Sequence, residues 1–298
     1  MCIDSIPPAY RPAPGSAAQS AKGSAKNLFA AAPEPLPVPV YDNHTHFDFG
    51  DSPVALGAAL DAAAAVGVAG AVQVGCDLPS SRFTVAAVDA DPRLLGAVAL
   101  HPNDAPVLAQ AGELEAALSE IAQLAAHPRV RAIGETGLDY FRTGEAGRAA
   151  QHHSFRAHLD IAKELGLALQ IHCRDAQEDV LAILADAGAP ERLVFHCFSG
   201  DAELARICND HGWYMSFSGT VTFKNAHNLR QGLAVADPAL VLCETDAPFL
   251  TPHPFRGRPN ASYMLPYTVR HMAETTGREV AQMCRQLNAN TQAVYGSW

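Results

Sequence analysis

The chain reads as an α/β protein, a single (β/α)8 TIM-type barrel with a metal site at the C-terminal ends of its strands. Three observations carry that expectation. From residue 38 onward, short uninterrupted apolar runs alternate with stretches of helical periodicity, the signature of a parallel sheet covered on both faces. At 298 residues the chain is longer than most domains but of ordinary length for one α/β barrel. Histidines and carboxylates recur just past the apolar runs, at His44, His46, Glu135, His172, His196 and Asp246, where a barrel gathers its catalytic groups. An open doubly wound sheet is the alternative arrangement. The strand-end placement of all six polar groups favours the barrel.

Residues 1–37 are dominated by proline, alanine, serine and glycine and predict a poorly ordered extension, leaving residues 38–298 as the barrel domain. The first strand is VPVYDNHTHFD, residues 38–48. Residues 53–66 then have apolar positions at helical spacing, with Gly67 placed to end the helix. Strands follow at 68–74 and 94–100, the second running into His101-Pro102, with a helix opening near Pro79 between them. A helix at 113–126 leads to a strand at 130–133 and a loop at 134–140. The second half repeats the rhythm. Helices are expected at 148–165, 176–187, 202–210 and 226–234, and strands at 167–171, 193–195, 214–217 and 240–243. Helices at 265–274 and 279–294 close the chain.

Composition narrows the class. Nearly half the residues are hydrophobic and the net charge is −10, which suits a globular protein and argues against broad coating of duplex nucleic acid. No apolar run approaches the roughly 18 residues that a membrane-spanning helix needs. The seven cysteines are scattered without a CxxC pair, so neither a disulfide framework nor a zinc ribbon is indicated. A reducing, cytoplasmic setting is expected.

In a strand, residues two apart share a face, so His44 and His46 present both imidazoles to one side while Thr45 points away. Alone, that spacing is more often polar surface than ligand. Taken singly, His172 or His196 reads as a core histidine, Glu135 as a helix-cap partner and Asp246 as a turn residue. Their joint recurrence at successive strand ends is what implies a metal centre. Four imidazoles and two carboxylates exceed what one catalytic ion takes from protein. Two divalent ions sharing a carboxylate would use all six, with Glu135 as the bridge and Asp246 as general base toward an activated water. The mixed nitrogen and oxygen donors suit Mg, Mn or Zn. His101 and Arg174 are candidates for contacting substrate, and Tyr140, Phe141, Phe223 and Phe249 for stacking on bases. Cys173, Cys197 and Cys243 adjoin the ligands along their strands and read as small buried packing residues.

Six segments, DNHTHFD, LHPND, GETGLDYFR, IHCRDA, FHCFSG and ETDAPFLTP, closely resemble the TatD-related deoxyribonucleases, metal-dependent hydrolases of the amidohydrolase type. The resemblance spans roughly residues 38–293. It implies a (β/α)8 barrel with one or two divalent ions and hydrolysis of DNA phosphodiesters, acting from an end of single-stranded or frayed DNA. The family pattern lands on His44, His46, Glu135 and Asp246 for one ion, and on Glu135, His172 and His196 for the other. One departure is visible: where the family often has Arg-Asn-Glu-Pro, this chain has Arg258-Pro259-Asn260-Ala261-Ser262. Two rival functions stand beside this one. The same chemistry could act on an ester or amide carbonyl, such as an aminoacyl-tRNA ester or a small cyclic amide, and a scaffold could retain the barrel without catalysis. DNA is the expected partner, with no membrane and no obligate protein partner.

Overall fold

The computed structural model describes residues 5–11, 28–49 and 54–298. Eight strands lie in one sheet in chain order: β1 (Val40–Thr45), β2 (Val68–Gly75), β3 (Leu94–Val98), β4 (Val130–Asp139), β5 (Ala168–Arg174), β6 (Leu193–Phe195), β7 (Tyr214–Phe217) and β8 (Val241–Cys243). Between and after them run α1 (Leu56–Ala64), α2 (Leu78–Ala90), α3 (Ala105–Ala111), α4 (Leu114–Ala125), α5 (Glu145–Leu165), α6 (Gln177–Ala187), α7 (Ala202–His211), α8 (His227–Val235), α9 (Leu265–Thr275) and α10 (Val280–Tyr295). Order and alternation are those of the (β/α)8 barrel. Among the described residues, no helix is long and apolar enough to cross a membrane.

The chain clusters into two compact units. The first comprises the chain through Ala71 with Gly200–Ala205 and Phe217–Thr291; the second comprises Val72–Ser199, Arg206–Ser216 and Gln292–Trp298. Within the first unit β8 returns to β1, where Thr45 bridges Ala247 in parallel fashion. Within the second, β3 to β7 pair in parallel, and β4 is buried at all but one position.

Two stretches differ from the expectation. The loop expected at 134–140 is mostly strand, because β4 continues to Asp139 and pairs Thr136, Gly137, Leu138 and Asp139 with residues 171–174 of β5. Two glycines made it read as a loop. Their use is instead steric: a Cβ on Gly134 would lie 2.5 Å from Cβ of Gln170, and one on Gly137 would lie 2.1 Å from the His172 carbonyl oxygen.

In the extension expected over 1–37, the described residues 5–11 and 28–37 pack at some positions and are exposed at others, among them Ser5, Pro8, Arg11 and Glu34. Ile6, Tyr10, Ala30 and Leu36 are buried, and the Tyr10 ring lies 4.6 Å from Phe29 and 5.0 Å from Tyr263. Tyr263 and Tyr267 donate their hydroxyls to the carbonyls of Ala30 and Ala31, and Arg270 donates to those of Glu34 and Pro35. Proline-rich chain offers few N–H groups for a ladder, but its carbonyls still accept hydrogen bonds and its apolar side chains still leave water. Residues 1–4 and 12–27 of the expected extension lie outside the described residues.

Tyr10→Ala should therefore lower stability by about 3 kcal/mol, the usual cost of deleting a buried aromatic ring. Urea unfolding measures it. An unchanged midpoint would show that the segment contributes nothing to the fold.

Candidate metal centre

In the first unit, β1 ends at Thr45, so His44 and His46 sit at its C-terminal tip. Asp246 follows β8 by three residues. Two backbone hydrogen bonds hold these tips in register: Asp246 N–H donates to the His44 carbonyl at 2.9 Å and His46 N–H to the Ala247 carbonyl at 2.8 Å. The consequence is convergence. His44 Nε2 lies 3.2 Å from His46 Nε2, and Asp246 Oδ1 lies 3.8 Å from the first and 3.4 Å from the second. His44 is fully buried, His46 nearly so, and the Asp246 side chain is 13% exposed.

The backbone of Asp246 has φ 53°, in the left-handed region that a non-glycine residue occupies only when its surroundings impose it. What imposes it is visible. Asp42, fully buried on β1, accepts from Thr245 N–H at 2.8 Å and from Thr245 Oγ1 at 2.6 Å. Asn43 donates to the Cys243 carbonyl at 2.8 Å. Buried Asn260 donates to the carbonyls of Thr245 and Phe249, clamping the turn from its far side. Burial pushes the Asp42 carboxyl up to about 7, against the lowering effect of its bonds from Thr245 and Ser262.

In the second unit the centre is Glu135. The β4–β5 register advances three residues on β4 for two on β5 between Ile133 and Thr136, a bulge with Gly134 and Glu135 inside it. Glu135 Oε2 lies 2.8 Å from His196 Nε2 and 3.1 Å from His172 Nδ1, and Cys76 donates its thiol to Oε1 at 3.3 Å. Two residues along the same face of β4 as Gly137, Asp139 places Oδ2 3.3 Å from His172 Nε2. Asp139 is itself held by the Arg142 N–H and the Asn103 side chain. His101 packs edge-on against His172, ring centres 4.6 Å apart.

The electrostatics follow from burial and pairing. Burial works to raise Glu135, but the charge and hydrogen bonds of His196 and His172 outweigh it and hold the carboxyl well below its usual range. Asp139 is lowered in the same way, against burial, by His172 and the Arg142 N–H. Burial pushes the His101 imidazole down to about 4, so it is neutral at physiological pH. Both carboxylates are thus anionic and surrounded by nitrogen donors.

These donor sets fit divalent ions. Two imidazole nitrogens 3.2 Å apart can share only one proton, whereas one cation can take both lone pairs. His44, His46 and Asp246 offer three donor atoms within 4.8 Å of one another, and so do His101, Glu135 and His172.

Each residue singled out in the sequence can be placed. His44, His46 and Asp246 come together in the first unit, and Glu135, His172 and His196 in the second. His101 joins the second group. Arg174 lays its guanidinium 3.9 Å from the centre of the exposed Phe141 ring. Tyr140 is engaged with His152 and Asp179, and Phe249 packs against Phe49. Cys243 is buried as expected, while Cys173 and Cys197 are only half-buried. Sequence reasoning missed Asp139, Cys76, Asp42 and Asn260. A signal existed for the first and third, since each lies four or two residues from a recognised ligand on the same strand face.

Comparison with known proteins is consistent with this geometry. Residues 41–296 match the family model described as TatD related DNase. The chain is 43% identical over 261 residues to an uncharacterised metal-dependent hydrolase, TatD, from Mycobacterium tuberculosis, covering 86% of this chain and 97% of that protein. It is 33% identical over 243 residues to a protein of Citrobacter rodentium named 3'-5' ssDNA/RNA exonuclease TatD, covering 78% and 88%. The crystal structure of the Escherichia coli TatD homologue YJJV superposes with a TM-score of 0.79 at 25% identity, covering 87% of this chain and 98% of that one.

Gly137→Ala should displace the His172 carbonyl, because the new methyl would sit 2.1 Å from it at a φ of 137°. Metal analysis of the purified variant is expected to show loss of bound ion with the fold retained by circular dichroism. Wild-type metal content would refute the role given to this close approach.

Proposed function

Since the chain belongs to the TatD family of metal-dependent hydrolases, we propose that it hydrolyses phosphodiester bonds of single-stranded DNA from a strand end. The observation that carries the reading is the pair of buried histidine–carboxylate clusters, His44, His46 and Asp246 in one unit and Glu135, His172 and His196 in the other. A relative named as an exonuclease on single-stranded DNA and RNA supports the substrate class.

One or two divalent ions held by these residues would polarise a phosphoryl oxygen and acidify a water. The chain's own groups do the rest. His44 and His46 offer two imidazole nitrogen donors at the C-terminal tip of β1. Asp246 can coordinate through one oxygen and accept the proton of the attacking water through the other. Glu135 and Asp139 hold His172 from either side, Oε2 at Nδ1 and Oδ2 at Nε2, which fixes the orientation of the ring between them. Arg174, preoriented on Phe141, can pair with a phosphate oxygen, and His101, neutral by burial, can position substrate or support His172. The reducing cytoplasm is proposed as its setting, and no disulfide among the described residues argues for an oxidising one.

The direct test supplies metal-stripped protein with Mg, Mn or Zn in turn and follows an end-labelled single-stranded DNA. A ladder is expected that appears only with metal. Asp246→Asn should retain nearly all bound metal, because an amide oxygen still coordinates, while cleavage falls by about 10²–10⁴-fold. Cleavage by that variant at the parent rate would remove Asp246 from the role of base. Bound ions without cleavage under any metal would redirect the reading to a carboxylic ester or amide.

A further inference from the structure

The first unit contains a cavity of about 300 Å³ lined by Phe223, Lys224, Asn225, His253 and Arg256. Phe223, Lys224 and Asn225 lie in the connection from β7 to α8. His253 and Arg256 lie in the connection from β8 to α9, which begins with the Asp246 turn. No carboxylate lines the cavity. The lining is therefore cationic in a chain with 31 acidic residues against 21 basic ones. Three other arginines do have acidic partners: Arg82 pairs with Glu120, Arg93 with Asp91 and Arg156 with Asp186. Lys224 and Arg256 make no ion pair among the described residues.

The cavity is also built rather than incidental. Arg230, from the first turns of α8, spends its guanidinium on the carbonyls of Val221, Phe223 and Lys224, at 3.0, 2.7 and 3.2 Å, and so fixes the loop that carries the cavity's aromatic ring and lysine. His253 N–H donates to Thr222 Oγ1 at 2.8 Å, and that hydroxyl donates to the Gly219 carbonyl at 2.6 Å, tying the two connections together. They touch at Gly219, where a Cβ would lie 2.1 Å from the Leu250 carbonyl oxygen. The Arg256 guanidinium is held 4.4 Å from the centre of the Phe223 ring. A planar guanidinium fixed on an aromatic face presents its N–H fork in one orientation, the form that pairs with a phosphate through two parallel hydrogen bonds.

We propose that this cavity is a phosphate subsite that holds the substrate strand at a phosphodiester other than the one being cut, with Arg256 and Lys224 as its cationic contacts. It rests on the reading of the substrate as single-stranded nucleic acid. An acidic protein repels a polyanion at long range, so a carboxylate-free cavity with two unpaired cations is where a strand can be gripped. The subsite distinguishes a strand from a short fragment. A substrate too short to reach it loses these contacts and keeps only those at the Asp246 turn.

The test uses the full chain, stripped of metal so that nothing is cleaved, titrated by fluorescence anisotropy against a labelled oligothymidylate over a range of salt. K224A/R256A should weaken binding on the order of tenfold at low salt and flatten the log–log salt dependence by about 1.4, two phosphate contacts at roughly 0.7 each for single strands. The charge-preserving pair K224R/R256K should restore the slope, which a merely misfolded loop would not. With metal restored, K224A/R256A should turn over a small phosphodiester such as bis(p-nitrophenyl) phosphate at the parent rate. Equal affinity and slope for K224A/R256A and the parent would overturn the subsite. Failure of the parent to bind the oligonucleotide would overturn it as well, and turnover of the small phosphodiester would then show whether the phosphodiesterase reading itself survives.

Discussion

A carboxylate inside a parallel strand, 6% exposed, is the constraint on which the second unit depends. Glu135 could not remain there as an isolated anion, because burying an unpaired charge costs far more than a strand position contributes. It remains because one oxygen meets two imidazoles and the other accepts a thiol proton. The surrounding backbone is shaped to permit this. The bulge admits an extra residue, Gly134 keeps Gln170 from clashing, and Gly137 lets β5 come close enough to bring His172 between Glu135 and Asp139. Removing any of these features leaves a charge without its partners.

The first unit solves the same problem by different means. Asp246 is held at the tip of β8 in a backbone conformation that L-residues avoid. Two strand-to-strand hydrogen bonds, the Asp42–Thr245 pair and the Asn260 clamp impose it. The candidate ligands of this unit are three side chains, His44, His46 and Asp246. Their geometry comes from a supporting layer of buried polar groups whose hydrogen bonds run to backbone, which is why the site can be rigid without being large.

The barrel and the convergence of the six candidate ligands into two clusters were legible because both follow from local pattern: apolar runs set the strands, and polar groups just beyond them mark the end of the barrel where a site is built. The supporting layer was less legible for a physical reason. Asp42, Asn260 and Cys76 act through partners 203, 15 and 59 residues away, and no local periodicity encodes such a contact. The Arg258–Ser262 departure from the family pattern looked remote from the ligands, yet it supplies Asn260, which holds the Asp246 turn. Glycine misled at β4, where two glycines signal close packing between strands rather than a loop. Proline hid the contacts at residues 5–11 and 28–37, where composition suggested disorder and Ile6, Tyr10, Ala30 and Leu36 are nonetheless buried.

Membership of the TatD family and the similarity to YJJV agree with the barrel. The claim most exposed to experiment is that the Glu135 carboxylate is what holds a cation among His172 and His196. Glu135→Gln keeps the shape of the side chain and removes its charge. Metal content per folded chain, measured by mass spectrometry after reconstitution with Mn or Zn, is predicted to fall by at least one ion relative to the parent. Retention of the parent's full content in a folded variant would contradict the account.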